Sequence, residues 1–260
     1  MMDVKSFDSL FARLDDLREC AVRGNVGISA FFSPREEKAA TEYLKRRQTA
    51  FISFGGYSFA ERRKIYILPD FIEDAESINI ISDFGFSCEI DCVLISGSRF
   101  ESFSHRDVMG SILALGVERD AIGDIVMLDS NSAVFFCDSR LTSFFESNLE
   151  RIGRSKVRIK RTELDESILP ERKTLKINDT VASPRLDCIV AALCSLSRER
   201  AKEKILSSLV DLNYECEERP DKEVIAPATV SVRGVGKFSI ISLTDKTRKG
   251  RYKLVAEKFL

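Results

Sequence analysis

Ser183-Pro184-Arg185-Leu186-Asp187, Ser197-Arg198-Glu199-Arg200-Ala201-Lys202, Val210-Asp211-Leu212-Asn213-Tyr214 and Val230-Ser231-Val232-Arg233-Gly234 follow one another in the last part of this chain. In that order they allow little but two short helices leading into strands. Ser183 can cap a helix and Pro184 suits its first turn, while Leu186, Ile189, Val190 and Leu193 recur at i, i+3, i+4 and i+7 on one apolar face. A second cap is expected at Ser197. Beyond it Ala201, Ile205 and Leu209 face the core, and Arg198 with Lys202, like Arg200 with Lys204, stand one turn apart and project into solvent. Guanidinium forks and ammonium groups on such a surface match phosphate oxygens, and holding a folded RNA by its backbone requires no reading of bases.

The overall formal charge of −1 argues against a nucleic-acid binder until it is resolved along the chain. Residues 1–150 carry 16 Lys+Arg against 25 Asp+Glu, and residues 151–260 carry 24 against 16. A basic half carried by an acidic half is expected where one surface meets phosphate and the rest keeps the molecule in solution. The seven cysteines are odd in number and form no Cys-x-x-Cys pair, so they read as reduced core residues of a cytoplasmic protein. With a single histidine and no thiolate spacing to replace the others, no metal site is expected, and no cofactor loop is apparent. No apolar run approaches the ~20 residues of a membrane span, so the expectation is a soluble monomer without a membrane partner.

At 260 residues the chain is long enough for two or three domains. Phe7, Leu10, Phe11, Leu14 and Leu17 have helical spacing, and Ser33-Pro34-Arg35-Glu36 is a capping box opening a second helix. Strands at 49–54 and 64–68 flank Gly55-Gly56-Tyr57, giving an N-terminal α/β domain over 1–78. Over 79–162 the pattern reads strand 89–96, helix 104–115, strands 124–128 and 133–137, helix 139–152, strand 156–161. That β-α-β-β-α-β order is the ferredoxin-like plait of many RNA-binding modules, a fold that also hosts unrelated activities. The charged, Pro-containing stretch 163–180 reads as a linker, and 181–260 as the final domain of an α+β chain.

Several blocks go beyond generic patterning: Gly55-Gly56-Tyr57 with Ala60-Glu61-Arg62-Arg63, His105-Arg106-Asp107-Val108-Met109-Gly110, Leu115-Gly116-Val117-Glu118-Arg119, Ile122-Gly123-Asp124-Ile125 and Ile152-Gly153-Arg154. Together with the C-terminal blocks they resemble the YlmH family over nearly the whole chain. The resemblance implies an N-terminal domain, a central RNA-binding plait and a C-terminal S-four (αL) RNA-binding domain. It also implies a non-enzymatic role on large ribosomal subunits obstructed by peptidyl-tRNA, in ribosome-associated quality control, with ribosomal RNA and tRNA as partners. Carried over by position, Arg185 and Asp187 match the first S-four helix, Ser197, Arg198 and Ala201 the second, Asn213 the following strand, and Arg233, Gly234 and Gly236 an Arg-Gly-x-Gly turn. Pro227-Ala228 stands where relatives carry Gly-Asp.

The RNA-binding set expected from charge and resemblance is Arg185, Ser197, Arg198, Arg200, Lys202, Lys204, Asn213, Arg233, Lys237, Arg248, Lys249 and Arg251. A second surface would comprise His105, Arg106, Arg154, Lys156, Arg158 and Lys160. Lys156, Arg158 and Lys160 would share one strand face, either as an RNA contact or as a charged edge that blocks aggregation. His105 with Asp107 reads either as an acid–base pair or as part of a capping box from Ser104, and Asp187 either as an attacking carboxylate, as in the Arg-Leu-Asp motif of pseudouridine synthases, or as a group that orients an arginine. Gly55-Gly56 reads as a turn, since no Gly-Lys-Ser/Thr ending follows. The rival functions are an RNA-modifying enzyme that uses the C-terminal domain as a clamp and a ribosome-assembly factor.

Overall fold

The apolar spacing near the N-terminus is realised as one helix, α1 (Lys5–Val22), whose Leu10 and Leu14 are buried. The computed structural model describes residues 5–72, 77–98, 100–163, 166–170, 174–246 and 250–259, which fall in two units divided at residue 170. In the first unit α1 is followed by β1 (Gly27–Ile28), α2 (Pro34–Arg46), β2 (Phe51–Phe54) and β3 (Lys64–Ile67). The Ser33 capping box is present: the Glu36 carboxylate accepts from the Ser33 backbone N–H at 2.8 Å and from its hydroxyl at 2.7 Å. Three antiparallel strands in the order β1-β3-β2 carry α1 and α2, with Leu10, Leu14, Ala40, Leu44, Ile65 and Ile67 closing the core between them.

The second sheet of this unit follows α3 (Asn79–Asp83). Its elements are β4 (Ile90–Gly97), α4 (His105–Leu113), β5 (Ile122–Met127), β6 (Ser132–Asp138), α5 (Thr142–Asn148), β7 (Arg151–Ile152) and β8 (Ser155–Thr162). The strands lie antiparallel in the order β5-β6-β4-β8-β7. The helix expected over 139–152 is shorter, because Gly153 at φ +57° lets Arg151 and Ile152 pair with Lys156 and Ser155 as a hairpin. On one face of the sheet Val93, Ile95 and Phe135 pack against Val108, Ile112 and Phe145 of α4 and α5.

The other face is covered by residues that the sequence assigned to a separate domain. Phe31, Tyr57 and Ala60 pack onto Cys92, Val134 and Phe136. Lys64 of β3 is bonded to Asp138 of β6 at 2.9 Å. Residues 1–78 and 79–162 therefore share core and form one body rather than two.

The second unit opens with β9 (Thr174–Val181), then α6 (Leu186–Cys194), α7 (Arg198–Leu206), β10 (Val210–Leu212), β11 (Glu215–Cys216), β12 (Ala228–Val232), β13 (Gly236–Lys246) and β14 (Tyr252–Phe259). Six antiparallel strands run in the order β11-β10-β12-β13-β14-β9. The helical stripe Leu186, Ile189, Val190 and Leu193, with Ala201 and Ile205, is buried against Val210, Val230, Phe238, Ile240 and Leu254. Leu209 lies past the end of α7 and is half-buried.

Two expectations fail here. The end of the expected linker, residues 174–180, is strand: β9 pairs with β14 along all eight of its residues, from Thr174↔Phe259 to Val181↔Tyr252. The pattern was hidden because β9 is an edge strand whose side chains are largely solvated. Nor does Ser183 cap α6, which begins two residues after Pro184. The segment before it is held by backbone bonds instead, Val224 N–H to Pro184 O at 2.9 Å and Leu186 N–H to Lys222 O at 2.8 Å.

Candidate nucleic-acid interface

The first turn of α6 places Asp187 under the surface, fully buried, with its backbone N–H donating to Pro220 O at 2.9 Å. A buried carboxylate must be paired or it will take up a proton. Arg185 donates to it through Nε at 3.2 Å and Nη2 at 3.3 Å, and Arg198, from the start of α7, through Nε at 2.9 Å. Burial by itself pushes the Asp187 carboxyl up, but the hydrogen bonds from Arg185 and Arg198 outweigh it and hold the group below the usual carboxylate range. The arginine side chains remain 39% and 52% exposed, so each anchors one edge of its guanidinium inside and presents the remainder to solvent. This geometry suits phosphate, which accepts two parallel N–H bonds from a fixed fork. Asp187 is thus bonded to both arginines and placed to orient them.

Around this pair α7 adds further charge. Ser197 caps the helix by accepting from Arg200 N–H at 3.3 Å, so its hydroxyl is engaged in the fold. Arg200 is exposed, and Lys202 and Lys204 are half-buried along their stems. Asn213 is committed as well: at φ +51° it forms the β10–β11 turn with Tyr214 at φ +67°, and its side-chain oxygen accepts from Thr229 N–H at 2.9 Å. Arg233 is exposed on the turn that Gly234 makes at φ +79°. The Lys237 ammonium lies 4.9 Å from the Tyr214 ring and 5.7 Å from that of Phe259, an aromatic and cationic grouping that charge counting alone missed. Arg251 bonds Thr180 Oγ1 at 2.9 Å and the Thr180 carbonyl, which ties it to β9. Arg248 and Lys249 lie outside the described residues.

In the first unit Lys156, Arg158 and Lys160 are exposed along β8 and alternate with Val157 and Ile159, which join the helix-side core. Arg154 is exposed at the β7–β8 turn, and His105 and Arg106 at the start of α4. The capping-box reading of Ser104 holds: Asp107 accepts from the Ser104 N–H at 2.8 Å and hydroxyl at 2.7 Å, and these bonds lower its pKa. Both bonds go to one carboxylate oxygen, Oδ2. Among the described residues no three His, Cys, Asp or Glu side chains gather to hold a metal ion, and no helix is long and apolar enough to cross a membrane.

Three of the blocks that carried the family resemblance, those containing Tyr57, Arg119 and Asp124, meet at one place. Asp124 accepts from the Tyr57 hydroxyl at 2.9 Å and from the Glu61 and Arg62 amides at 2.6 and 3.1 Å. Arg62 in turn donates to the carbonyls of Phe31, Arg119 and Ile122, and Arg119 to those of Ile122 and Gly123. A Cβ on Gly56, at φ +101°, would lie 2.2 Å from the Phe136 ring, so glycine is required there for close approach. These residues join the two sheets of the unit.

Comparison with known proteins finds three similarities. Residues 85–166 match the family model described as a putative RNA-binding domain in YlmH. Over 232 residues, 89% of this chain and 86% of the other, the sequence is 27% identical to the ribosome-associated protein quality control protein P2 of Bacillus subtilis (strain 168). Among solved structures it resembles the cell division protein ylmH from Streptococcus pneumoniae, at 23% identity and a TM-score of 0.48 over 62% of this chain and 93% of that one. Residues 85–166 by their domain match, and 89% of the chain by its relative, are thus similar to the YlmH family.

Proposed function

We propose that this protein is a non-catalytic RNA-binding factor that docks on the ribosomal RNA and tRNA of the large ribosomal subunit, in quality control of obstructed peptidyl-tRNA complexes. The observation that carries the reading is the Asp187 clamp, a buried carboxylate that fixes Arg185 and Arg198 with their outer faces turned to solvent. Support comes from the matched RNA-binding domain and from the quality-control name of the Bacillus relative. The second unit is assigned as an S-four domain and residues 79–162 as a ferredoxin-like plait within the first. Such a factor holds RNA in one arrangement and leaves the chemistry to another component. Sedimentation through a sucrose gradient tests the proposal: the protein should comigrate with free large subunits and be released steeply as salt rises, because phosphate contacts displace counterions. Migration with small subunits alone, or binding indifferent to salt, would refute it.

A further inference from the structure

An antiparallel sheet with helices on one face leaves the other available, and RNA-binding modules of this layout stack unpaired bases there on aromatic side chains. In the first unit that face is already filled. Phe136, in the middle of β6, is 1% exposed and stacks on Tyr57 at a centroid distance of 5.0 Å. Phe31 is fully buried in the same cluster, and the Tyr57 hydroxyl is fastened to Asp124. Tyr57 thus covers the Phe136 ring on this face.

What this face still offers is β8. Arg158 pairs with Ser96 and Lys160 with Leu94, whose side chain belongs to the Phe136 cluster, so the cations flank the filled region on the same side of the sheet. Lys156, Arg158 and Lys160 recur at every second residue and form a row about 13 Å long. The next arginine along, Arg161, points to the opposite face and is neutralised by Asp91 at 2.9 Å. Among the described residues no carboxylate pairs with Lys156, Arg158 or Lys160.

We propose that this unit binds RNA through the Lys156–Arg158–Lys160 row, and that the ligand is the sugar–phosphate backbone of base-paired RNA rather than unpaired bases. The inference rests on the RNA-binding reading above and specifies the class of RNA. A row of point charges can follow a phosphate chain, whereas base stacking on this face would need the rings of Phe31, Tyr57 and Phe136, which are buried against one another.

The test is a salt titration of the full chain on two probes, a fully paired RNA hairpin and unstructured poly(U). Wild type should bind the hairpin more tightly. Lys156→Gln/Arg158→Gln/Lys160→Gln should reduce the slope of log K against log salt on the hairpin by roughly 2–3 units, each single variant by about one, while Lys156→Arg/Lys160→Arg keeps the wild-type slope. Should the triple variant aggregate, the single variants decide by their slopes. An unchanged slope in folded single variants, or a preference for poly(U), overturns the proposal. If Arg185→Ala/Arg198→Ala still lowers the slope in that case, the RNA-binding reading survives; if wild type binds neither probe, both readings fall.

Discussion

Each unit of this molecule contains a buried aspartate held by two cations, and the two are used differently. Asp138 receives Lys64 at 2.9 Å and Arg140 at 2.7 Å, and Lys64 is itself only 1% exposed and also donates to the Glu89 carbonyl. Asp187 receives Arg185 and Arg198, both substantially exposed. The buried Lys64–Asp138 bond fastens one sheet to another, because β3 supplies the cation and β6 the carboxylate. When the cations reach solvent, the same carboxylate becomes a foundation that fixes their orientation. The difference lies in Lys64, a buried cation with no counterpart at Asp187, where both arginines reach solvent.

The largest expected effect breaks the inner clamp. Lys64→Met leaves Asp138 short of its buried partner and should cost about 3–5 kcal/mol in urea unfolding, with much of the loss recovered in Lys64→Met/Asp138→Leu. A loss below ~1 kcal/mol would mean that the pair does not join the sheets. Asp187→Asn keeps the shape and removes the charge, at a cost of about 1–3 kcal/mol. Its larger consequence should be weaker RNA binding, since both arginines lose their anchor. Undiminished binding by a folded Asp187→Asn protein would show that they orient themselves.

Acid should act on both clamps. In each case burial raises the carboxyl pKa but hydrogen bonds from the cations lower it further, so the folded-state value lies below the unfolded one, near 3.9. The associated stability is therefore complete above that value and disappears as pH falls through the folded pKa. Urea midpoints should decline between about pH 4 and pH 2, less steeply in the Asp138→Asn and Asp187→Asn variants. The smallest effects belong to the α4 start. Ser104→Ala should cost ~1 kcal/mol as a lost cap, and His105→Gln no more than ~0.5 kcal/mol. A ribosomal RNA modification that disappears with His105→Gln would instead revive the enzyme reading.

Much of this architecture was legible where one element's pattern sufficed. The buried faces of α1 and α6, the capping boxes at Ser33 and Ser104, and the order of elements from β4 to β8 follow local periodicity and end chemistry. Contacts between distant segments were not legible. Nothing near Lys64 announces Asp138, 74 residues away, and Gly56 shows its need for glycine only with Phe136 against it. At the site, the sequence singled out Arg185 and Arg198 and offered Asp187 as a group that orients an arginine, while its bonding to both of them at once is visible only in the fold. Ser197 and Asn213, carried over as binding residues, have side chains engaged in a cap and a turn.

Salt titration of Arg185→Ala/Arg198→Ala on ribosomal RNA and on a scrambled sequence, with circular dichroism to verify folding, bears most directly on the outward clamp. Removing both arginines also leaves Asp187 unpaired, so Asp187→Asn is included in the variant to separate lost contact from lost stability. If the guanidinium groups meet phosphate, affinity should fall on both RNAs and the slope of log K against log salt should decrease by about two units. An unchanged slope in the folded variant would contradict the account, because the charges held at the surface by Asp187 would then not be those that meet RNA.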